Sequence, residues 1–354
     1  MKKYGVSSTG LIMPIIRKGD DLVKIVVDTV LNSIDNIEDR DVIGITESIV
    51  ARAQGNYVTV DEVADEIRRI SNNAPIIVAN EPIYSRNRFA IILKAIARAA
   101  GQEVWVIMPE RDEVGNTRQN HIFTGMNYDD YYKSIVLAEG KACSAHYICP
   151  PFLDSFNAKD FFTIDCRSYK TKTLGLSKEG CSLADICANK CEYGLYGSNK
   201  VDEETLKLFP SKTFSKSIVN NIQADIKKKT GKTVEVMIYG DGCFKDPVGG
   251  IWEFADPVVS PAYTDGLKGS PNEIKLKAFA DDKYKDLSGE TLSEAIKQEI
   301  INKDKDLKGN MASQGTTPRR YTDLLGSLMD LTSGSGDKGT PVVYVKRYFD
   351  NYAN

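Results

Sequence analysis

The sequence predicts an α/β fold in which helices pack against mixed β-sheets, with an α+β arrangement as the alternative. Short apolar runs at residues 41–45, 74–80 and 103–109 have the length and composition of buried strands. Between them lie amphipathic stretches in which apolar residues recur at helical spacing. Because strand and helix alternate in this part of the chain, we expect a sheet with helices packed on it.

The composition of the chain indicates a globular protein. Its 354 residues suffice for one large domain or two to three ordinary ones, and 46 Lys and Arg against 49 Asp and Glu give a net charge of −3. This balance gives no support to a nucleic-acid or membrane partner, which a basic face would indicate. Since the sequence contains neither an apolar run of bilayer length nor a signal-peptide pattern, the expected location is cytoplasmic.

The chain contains seven cysteines. Because this number is odd and the chain has no secretion signal, we expect reduced thiols. Cys181, Cys187 and Cys191 form a cluster whose spacing matches no paired zinc motif. A structural metal there is therefore the less favoured of two interpretations. His146 stands in an apolar setting, and we expect it to be a packed core residue rather than a catalyst.

The first predicted helix begins after Asp20 or Asp21, either of which can cap its amino end. The strand at residues 41–45 follows, and a second helix begins near Glu47. A strand that turns into a helix at polar residues is a natural binding edge in an α/β layer. Glu47 fits two roles about equally, a ligand for metal or substrate and a cap of the helix.

Residues 85–101 predict a helix that ends at Gly101 as a C-cap. Arg86 and Arg88 stand at its start and can grip a phosphate or a carboxylate. The alternative, which we slightly favour, is that both are solvated charges on the outer face of the helix.

The region from residue 111 to residue 212 is the least regular part of the sequence. It contains a predicted helix near residues 128–137, followed by a mixture of cysteines, aromatic residues, glycines and lysines without a firm period. We interpret 111–212 as a candidate insertion or elaborated subdomain on a core of residues 1–110 and 213–354.

The most distinctive stretch runs from residue 233 to residue 265. It opens as a strand of alternating β-formers and breaks at Gly240-Asp241-Gly242, a turn that lets the backbone come close to a ligand. Carboxylates follow along a path stiffened by prolines, and they are Asp246, Glu253, Asp256 and Asp265. Such oxygen ligands suit Mg²⁺ or Mn²⁺, although any single aspartate here is also an ordinary turn residue.

A second unusual stretch lies near the carboxyl end of the sequence. Residues 310–320 combine hydroxyls, an amide and two arginines around a helix that is predicted to start at Pro318. Residues 333–339 form a Gly/Ser-rich turn in which Lys338 and backbone N–H groups can face phosphates. The turn does not match the Walker pattern, and a flexible linker is the alternative, but the apolar strand that follows favours the phosphate-binding interpretation.

The joint pattern resembles the coenzyme F420-0:L-glutamate ligase (γ-glutamyl ligase) family, as a divergent bacterial member. The matching stretches are RKGDDLVKIV, DVIGITESIVARAQGNYV and YGDGCFKDPVGGIW, at residues 17–26, 41–58 and 239–252. Two later stretches, ADPVVSPAYTDG and GNMASQGTTPRRYTDLLGSLMDLTSGSGDKGTP, resemble those of longer bacterial proteins of this family. The order and joint presence of these motifs are more specific than any one of them.

This resemblance implies an F420 ligase-like fold, a homodimer, and a GTP-driven amide ligase that needs Mg²⁺ or Mn²⁺. A substrate carboxylate would become an acyl phosphate, which the amine of L-glutamate would attack. Two alternatives remain: a protein that holds a nucleotide or metabolite without turnover, and a metal-dependent hydrolase.

The residues expected at the site fall into three groups. Asp241 matches the leading acid of the family's acidic loop. The metal ligands expected with it, from their proximity and chemistry, are Asp246, Asp256 and Glu47. The groups expected to act on the reacting phosphate together with Asp241 are Arg319 and Lys338. The groups expected to bind the nucleotide are Gly240, Gly242, Ser313, Gln314, Arg320 and Gly336.

Overall fold

The strands and helices below come from a computed structural model, which describes residues 5–80, 82–83, 86–111, 115–122, 124–147, 161–166, 179–240, 244–245, 252–253, 260–307, 320–334 and 336–353. The described strands, numbered along the chain, are β1 Ser7–Leu11, β2 Val42–Thr46, β3 Tyr57–Thr59, β4 Ile76–Asn80, β5 Glu103–Met108, β6 Ala142–Tyr147, β7 Phe161–Asp165, β8 Gly180–Ser182, β9 Asn199–Lys200, β10 Thr205–Lys207, β11 Glu235–Tyr239, β12 Phe244–Lys245, β13 Trp252–Glu253 and β14 Val342–Lys346. The described α-helices are α1 Leu22–Ser33, α2 Glu47–Gln54, α3 Val60–Ile70, α4 Arg86–Ala99, α5 Tyr128–Ala138, α6 Lys212–Thr230, α7 Leu276–Ala278, α8 Gly289–Asn302 and α9 Tyr321–Ser333. Parallel and antiparallel sheets with packed helices confirm the predicted α/β class.

The chain divides into two compact units. The first unit comprises residues 1–16, 20–50 and 213–354, and the second comprises residues 17–19 and 51–212. Residues 51–110 therefore belong to the same unit as residues 111–212, a division that differs from the core of 1–110 and 213–354 that we expected. The interpretation of residues 111–212 as an insertion stays a prediction.

The first unit is built on a four-stranded sheet in the order β1-β14-β2-β11. β2 and β11 run parallel, whereas β14 is antiparallel to both β1 and β2. The carboxyl ends of β1, β2 and β11 and the amino end of β14 therefore lie at one edge, which we call the carboxyl edge. The segments that follow β1, β2 and β11 in the chain, and the segment that precedes β14, therefore all meet the sheet at this edge.

Helix α9 covers one face of this sheet. Its Leu325 and Met329 are fully buried against Met237 of β11 and Val343 of β14. Gly44 of β2 permits this close approach, because a Cβ placed there would lie 2.0 Å from the sulfur of Met329. The absence of a side chain at one position thus sets how closely the helix lies on the sheet.

The second unit is built on a five-stranded parallel sheet in the order β6-β5-β4-β7-β8. Helix α4 connects β4 to β5, and α5 connects β5 to β6, as parallel neighbours require. A small antiparallel sheet, β3-β10-β9, accompanies it. The strands β7 and β8 fall in the stretch where the sequence showed no firm period.

The predicted helix ends are right in part. Asp21 caps α1 by accepting the backbone N–H of Lys24 at 3.1 Å. The lysines at residues 227–229 and the glycine at residue 231 also predict a helix end, and Gly231 follows α6 with a φ of +74°. Gly101 does not cap α4, which ends at Ala99; its N–H donates to the carbonyl of Ala74 at 3.1 Å instead. The Gly101 prediction was wrong because the segment turns there onto the backbone that precedes β4.

Cys181, Cys187 and Cys191 are buried free thiols. Burial raises the pKa of both Cys181 and Cys187 to about 12, so these thiols keep their protons at neutral pH. In the described part of the chain, no group of three or more His, Cys, Asp or Glu residues is placed to hold a metal ion. No helix there combines the length and apolar character needed to traverse a bilayer.

Thr59 begins α3 with a complete capping box. Its hydroxyl accepts the backbone N–H of Glu62 at 3.1 Å, and the Glu62 carboxylate accepts the N–H of Thr59 at 2.7 Å. The Thr59 N–H is the main cause that holds the pKa of Glu62 below its usual value. The ionised Glu62 carboxylate therefore stabilises the fold at neutral pH, and this stabilisation is lost as the pH falls through the acid range and the carboxylate takes up a proton.

Replacement of Thr59 by alanine should lower the free energy of unfolding by about 1 kcal/mol, because the cap hydroxyl disappears. Urea denaturation followed by circular dichroism measures the change. Thr59→Ser keeps the hydroxyl and should retain most of the stability. Equal stability of the alanine and serine variants would show that the cap contributes nothing.

Candidate functional site

The carboxyl edge of the first unit brings two predicted site positions onto neighbouring strands. Thr46, the last residue of β2, pairs with Tyr239, the last residue of β11. Glu47 follows Thr46 directly, and Gly240 follows Tyr239. The predicted ligand Glu47 and the start of the predicted acidic loop therefore leave the sheet side by side.

The segment that leads into β14 is fixed at the same edge. The N–H of Thr46 donates to the carbonyl of Pro341 at 2.9 Å, and the N–H of Met13 donates to the carbonyl of Gly339 at 3.0 Å. The hydroxyl of Thr340 donates to the carbonyl of Ser333 at 2.9 Å, which closes the turn after α9. The Gly/Ser-rich turn is thus tied to the strand end that precedes Glu47, and it is not a free linker.

Lys338 ends a single 3₁₀ turn, Gly336–Lys338, within this connection. Its side chain folds back over Gly334, whose φ is +60° and at which a Cβ would lie 2.7 Å from the Lys338 ammonium nitrogen. Lys338 is exposed, and no carboxylate of the described residues forms an ion pair with it. The turn therefore presents a solvent-facing cation at the carboxyl edge, as an anion site requires.

Glu47 is the first residue of α2 and is only 2% exposed. A carboxylate this buried is stable only when cations or hydrogen-bond donors surround it. Glu47 makes at least one hydrogen-bonding or electrostatic contact. Both predicted roles, ligand and helix cap, are compatible with this position.

Tyr239 is a polar residue of the edge that the sequence did not single out. It is 1% exposed, and burial raises its pKa to about 12, while the hydroxyl of Ser333 opposes the shift and the charge of Asp330 adds to it. The phenol therefore keeps its proton at neutral pH. Its signal in the sequence was an aromatic hydroxyl directly before the Gly240 turn, which we interpreted only as part of a strand.

Arg320 lies at the other end of α9 from Lys338. It stands at the N-cap position, and its guanidinium binds both oxygens of Asp323, at 2.9 and 2.7 Å. The helix between them spans 13 residues, about 20 Å. The structure thus does not bring Arg320 and Lys338 together, because a whole helix separates them.

Asp265 also lies away from the carboxyl edge. The residues before it run back along β11, since the N–H of Ile238 donates to Ala262 at 2.9 Å and that of Thr264 donates to Val236 at 2.9 Å. Asp265 therefore reaches the amino end of β11, where it pairs with Lys268 at 3.0 Å. The other predicted site residues fall outside the described residues, and they are Asp241, Gly242, Asp246, Asp256, Ser313, Gln314 and Arg319.

The donor groups at the carboxyl edge suit a hard cation. Glu47 supplies a buried carboxylate beside the end of β11, and the residue that follows Gly240 in the chain is Asp241. Carboxylate oxygens are the ligands that Mg²⁺ and Mn²⁺ prefer. The pair of strand ends can therefore supply two such ligands from two neighbouring strands.

Comparison with known proteins gives one family. The model of the family described as F420-0:Gamma-glutamyl ligase matches residues 10–347, nearly the whole chain. A search of curated proteins finds no match. The matched range includes β2, β11, β14 and the carboxyl end of β1, and hence every segment that meets at the carboxyl edge.

Proposed function

Because the chain belongs to the F420-0:Gamma-glutamyl ligase family, we propose that it is a metal-dependent, GTP-driven amide ligase. It would join L-glutamate, or another amine, to the carboxylate of a small molecule. The observation that carries the proposal is the meeting of Glu47, Gly240 and the Lys338 turn at one edge. The resemblance further leads us to propose a homodimer, and we retain the expectation of a cytoplasmic location.

The proposed reaction has two steps. An oxygen of the substrate carboxylate attacks the γ-phosphorus of GTP, so that GDP leaves and an acyl phosphate forms. The amine of glutamate then attacks the acyl carbon, inorganic phosphate leaves, and the nitrogen loses a proton as the amide forms. Neither step needs a covalent enzyme nucleophile, so positioning and charge neutralisation supply the catalysis.

The residues of the edge have separable tasks in this scheme. The Lys338 ammonium group would balance charge on the transferred phosphate, and the backbone at Gly240 would lie against the nucleotide. Glu47 and Asp241 would hold Mg²⁺ or Mn²⁺, which when bound neutralises phosphate oxygens.

The direct test is phosphate release by the purified protein. Release from GTP should require the metal, a carboxylate substrate and an amine together, and ATP in place of GTP tests the nucleotide preference. Phosphate release without the amine would instead indicate a hydrolase. Saturable GTP binding without any product, across a panel of carboxylates and amines, would instead indicate a binding protein.

Lys338→Gln should raise the KM for GTP by about tenfold, because a charge-assisted hydrogen bond to phosphate is worth at least about 1.5 kcal/mol. Lys346→Gln is the matched control at the far end of β14, where that lysine donates to the carbonyl of Asn36. Steady-state kinetics of both variants measure the difference. An equal KM in the two variants would remove Lys338 from the site.

A further inference from the structure

The parallel sheet of the second unit contains a point at which the order of its strands reverses. From β4 the chain moves to β5 and then β6 on one side, whereas β7 and β8 lie on the other side of β4. The reversal therefore falls between β4 and β7, at whose carboxyl ends a doubly wound sheet offers a binding position. Small molecules bind parallel sheets at such a point.

Polar residues occupy this position, although strands buried on both faces are normally apolar there. Asn80 ends β4 and is paired in register with Asp165, which ends β7. Both are 2% exposed. The side-chain oxygen of Asn80 accepts no hydrogen bond from the described residues. A buried acceptor without a donor indicates a missing partner.

Arg118 provides a second, independent observation on the neighbouring loop, the one that follows β5. Its backbone is fixed by hydrogen bonds to Glu110 at 3.0 Å and Tyr128 at 3.1 Å. Arg118 is only 4% exposed, yet its Nε and Nη2 atoms donate to no acceptor among the described residues. No carboxylate of that part of the chain forms an ion pair with it. The guanidinium carbon lies 5.9 Å from the centre of the Tyr128 ring, a contact that leaves both N–H donors unpaired within the described chain. Buried guanidinium groups are normally paired with an anion, so an anion is the partner to be expected.

Ring contacts place Arg118 near the start of α4. The ring of Tyr128, over which Arg118 lies, stacks on Tyr132 with centroids 6.0 Å apart, and Tyr132 contacts Phe89 in the first turn of α4 at 5.1 Å. Arg86 is the first residue of the same 14-residue helix, whose amino end itself favours anions. Asp129, the acid next to Tyr128, accepts a hydrogen bond from Gln119 at 3.4 Å.

We propose that the second unit binds a small phosphate ester at this carboxyl edge. Its phosphate would lie on Arg118 and Arg86, and a hydroxyl of the same molecule would donate to the side-chain oxygen of Asn80. The guanidinium geometry suits phosphate oxygens, and the amide oxygen suits a sugar hydroxyl. The residues of this site belong to the second unit, whereas all residues proposed for the ligase chemistry belong to the first.

Isothermal titration calorimetry of the full chain with ribose 5-phosphate, inorganic phosphate and ribose tests the proposal. Ribose 5-phosphate should bind, inorganic phosphate should bind more weakly, and ribose should not bind. Arg118→Gln should weaken ribose 5-phosphate binding at least about tenfold. Arg111→Gln, in the same loop but exposed and donating to the carbonyl of Gly115, should leave it unchanged.

Asn80→Asp keeps the size of the side chain and adds a negative charge, so it should also weaken binding of the ester. If Arg118→Gln fails to fold, Asn80→Asp still tests the proposal. Undiminished affinity in Asn80→Asp or Arg118→Gln, or no binding of ribose 5-phosphate to the wild type, would overturn the proposal. Binding should persist in Asp241→Asn, so loss of ligase activity and loss of this site are distinguishable.

Discussion

Asp241→Asn should abolish phosphate release from GTP, with a loss of at least about 100-fold in kcat. The residue follows Gly240 in the sequence and matches the leading acid of the family's loop, and Gly240 itself leaves the sheet beside Glu47. Asparagine keeps the shape of the side chain but removes the charge that a divalent cation needs. The measurement is coupled phosphate detection at saturating GTP and metal, with the carboxylate and the amine present.

Asp265→Asn is the matched control for this result. Asp265 belongs to the same acidic stretch, but it is exposed and lies at the opposite end of β11, paired with Lys268. Its replacement should leave turnover unchanged. Full activity of Asp241→Asn, or an equal loss in both variants, would reject the assignment of the site to the carboxyl edge.

Glu47→Gln separates the two roles that remain open for Glu47. A ligand of the metal should lose activity as Asp241 does, and the concentration of Mg²⁺ needed for half-maximal rate should rise. A helix cap retains most of its hydrogen bonding as glutamine, so turnover would persist while stability falls slightly. The metal titration therefore distinguishes the roles.

Gly44→Ala should destabilise the first unit by about 1–3 kcal/mol, the second large effect that the structure predicts. The new methyl group would lie 2.0 Å from the sulfur of Met329, which α9 buries fully against the sheet. The helix can accommodate it only by moving off the sheet or by forcing Met329 into a strained rotamer. Urea denaturation of the full chain measures the loss.

Two further variants make this result specific. Gly5→Ala adds the same methyl group where nothing lies within 4 Å and should not change stability. In the double variant Gly44→Ala, Met329→Ala, the space vacated by the sulfur should accommodate the methyl group. The two changes together should then cost less than the sum of their separate effects. Strict additivity would show that the contact does not limit the packing.

Local patterns in the sequence predicted the individual elements well. The cap at Asp21, the strand before Glu47 and the turn at Gly231 follow from short-range chemistry, namely side-chain capping, β-propensity and positive φ, and the structure shows each of them. Two elements of the second unit, β7 and β8, escaped because a short strand buried on both faces carries no period to detect.

The meeting of distant segments at the site was only partly predictable. The parallel pairing of β2 and β11 places Glu47 beside Gly240 although 193 positions separate them in the sequence. Lys338 joins them because β14 enters the sheet antiparallel, a choice that no local pattern encodes. We grouped Arg320 and Asp265 with the site because they are near other site residues in the sequence. In the structure, α9 separates Arg320 from Lys338, and the segment that runs back along β11 carries Asp265 to the opposite end of that strand.

The place of β14 inside its sheet has a consequence for biosynthesis. This strand is synthesised after every other described strand, yet it lies between β1, the earliest of them, and β2. The N-terminal strand must therefore wait, unpaired on its β14 side, while the residues of the second unit emerge and can already fold. Completion of the first unit's sheet is in this way postponed until β14 has left the ribosome.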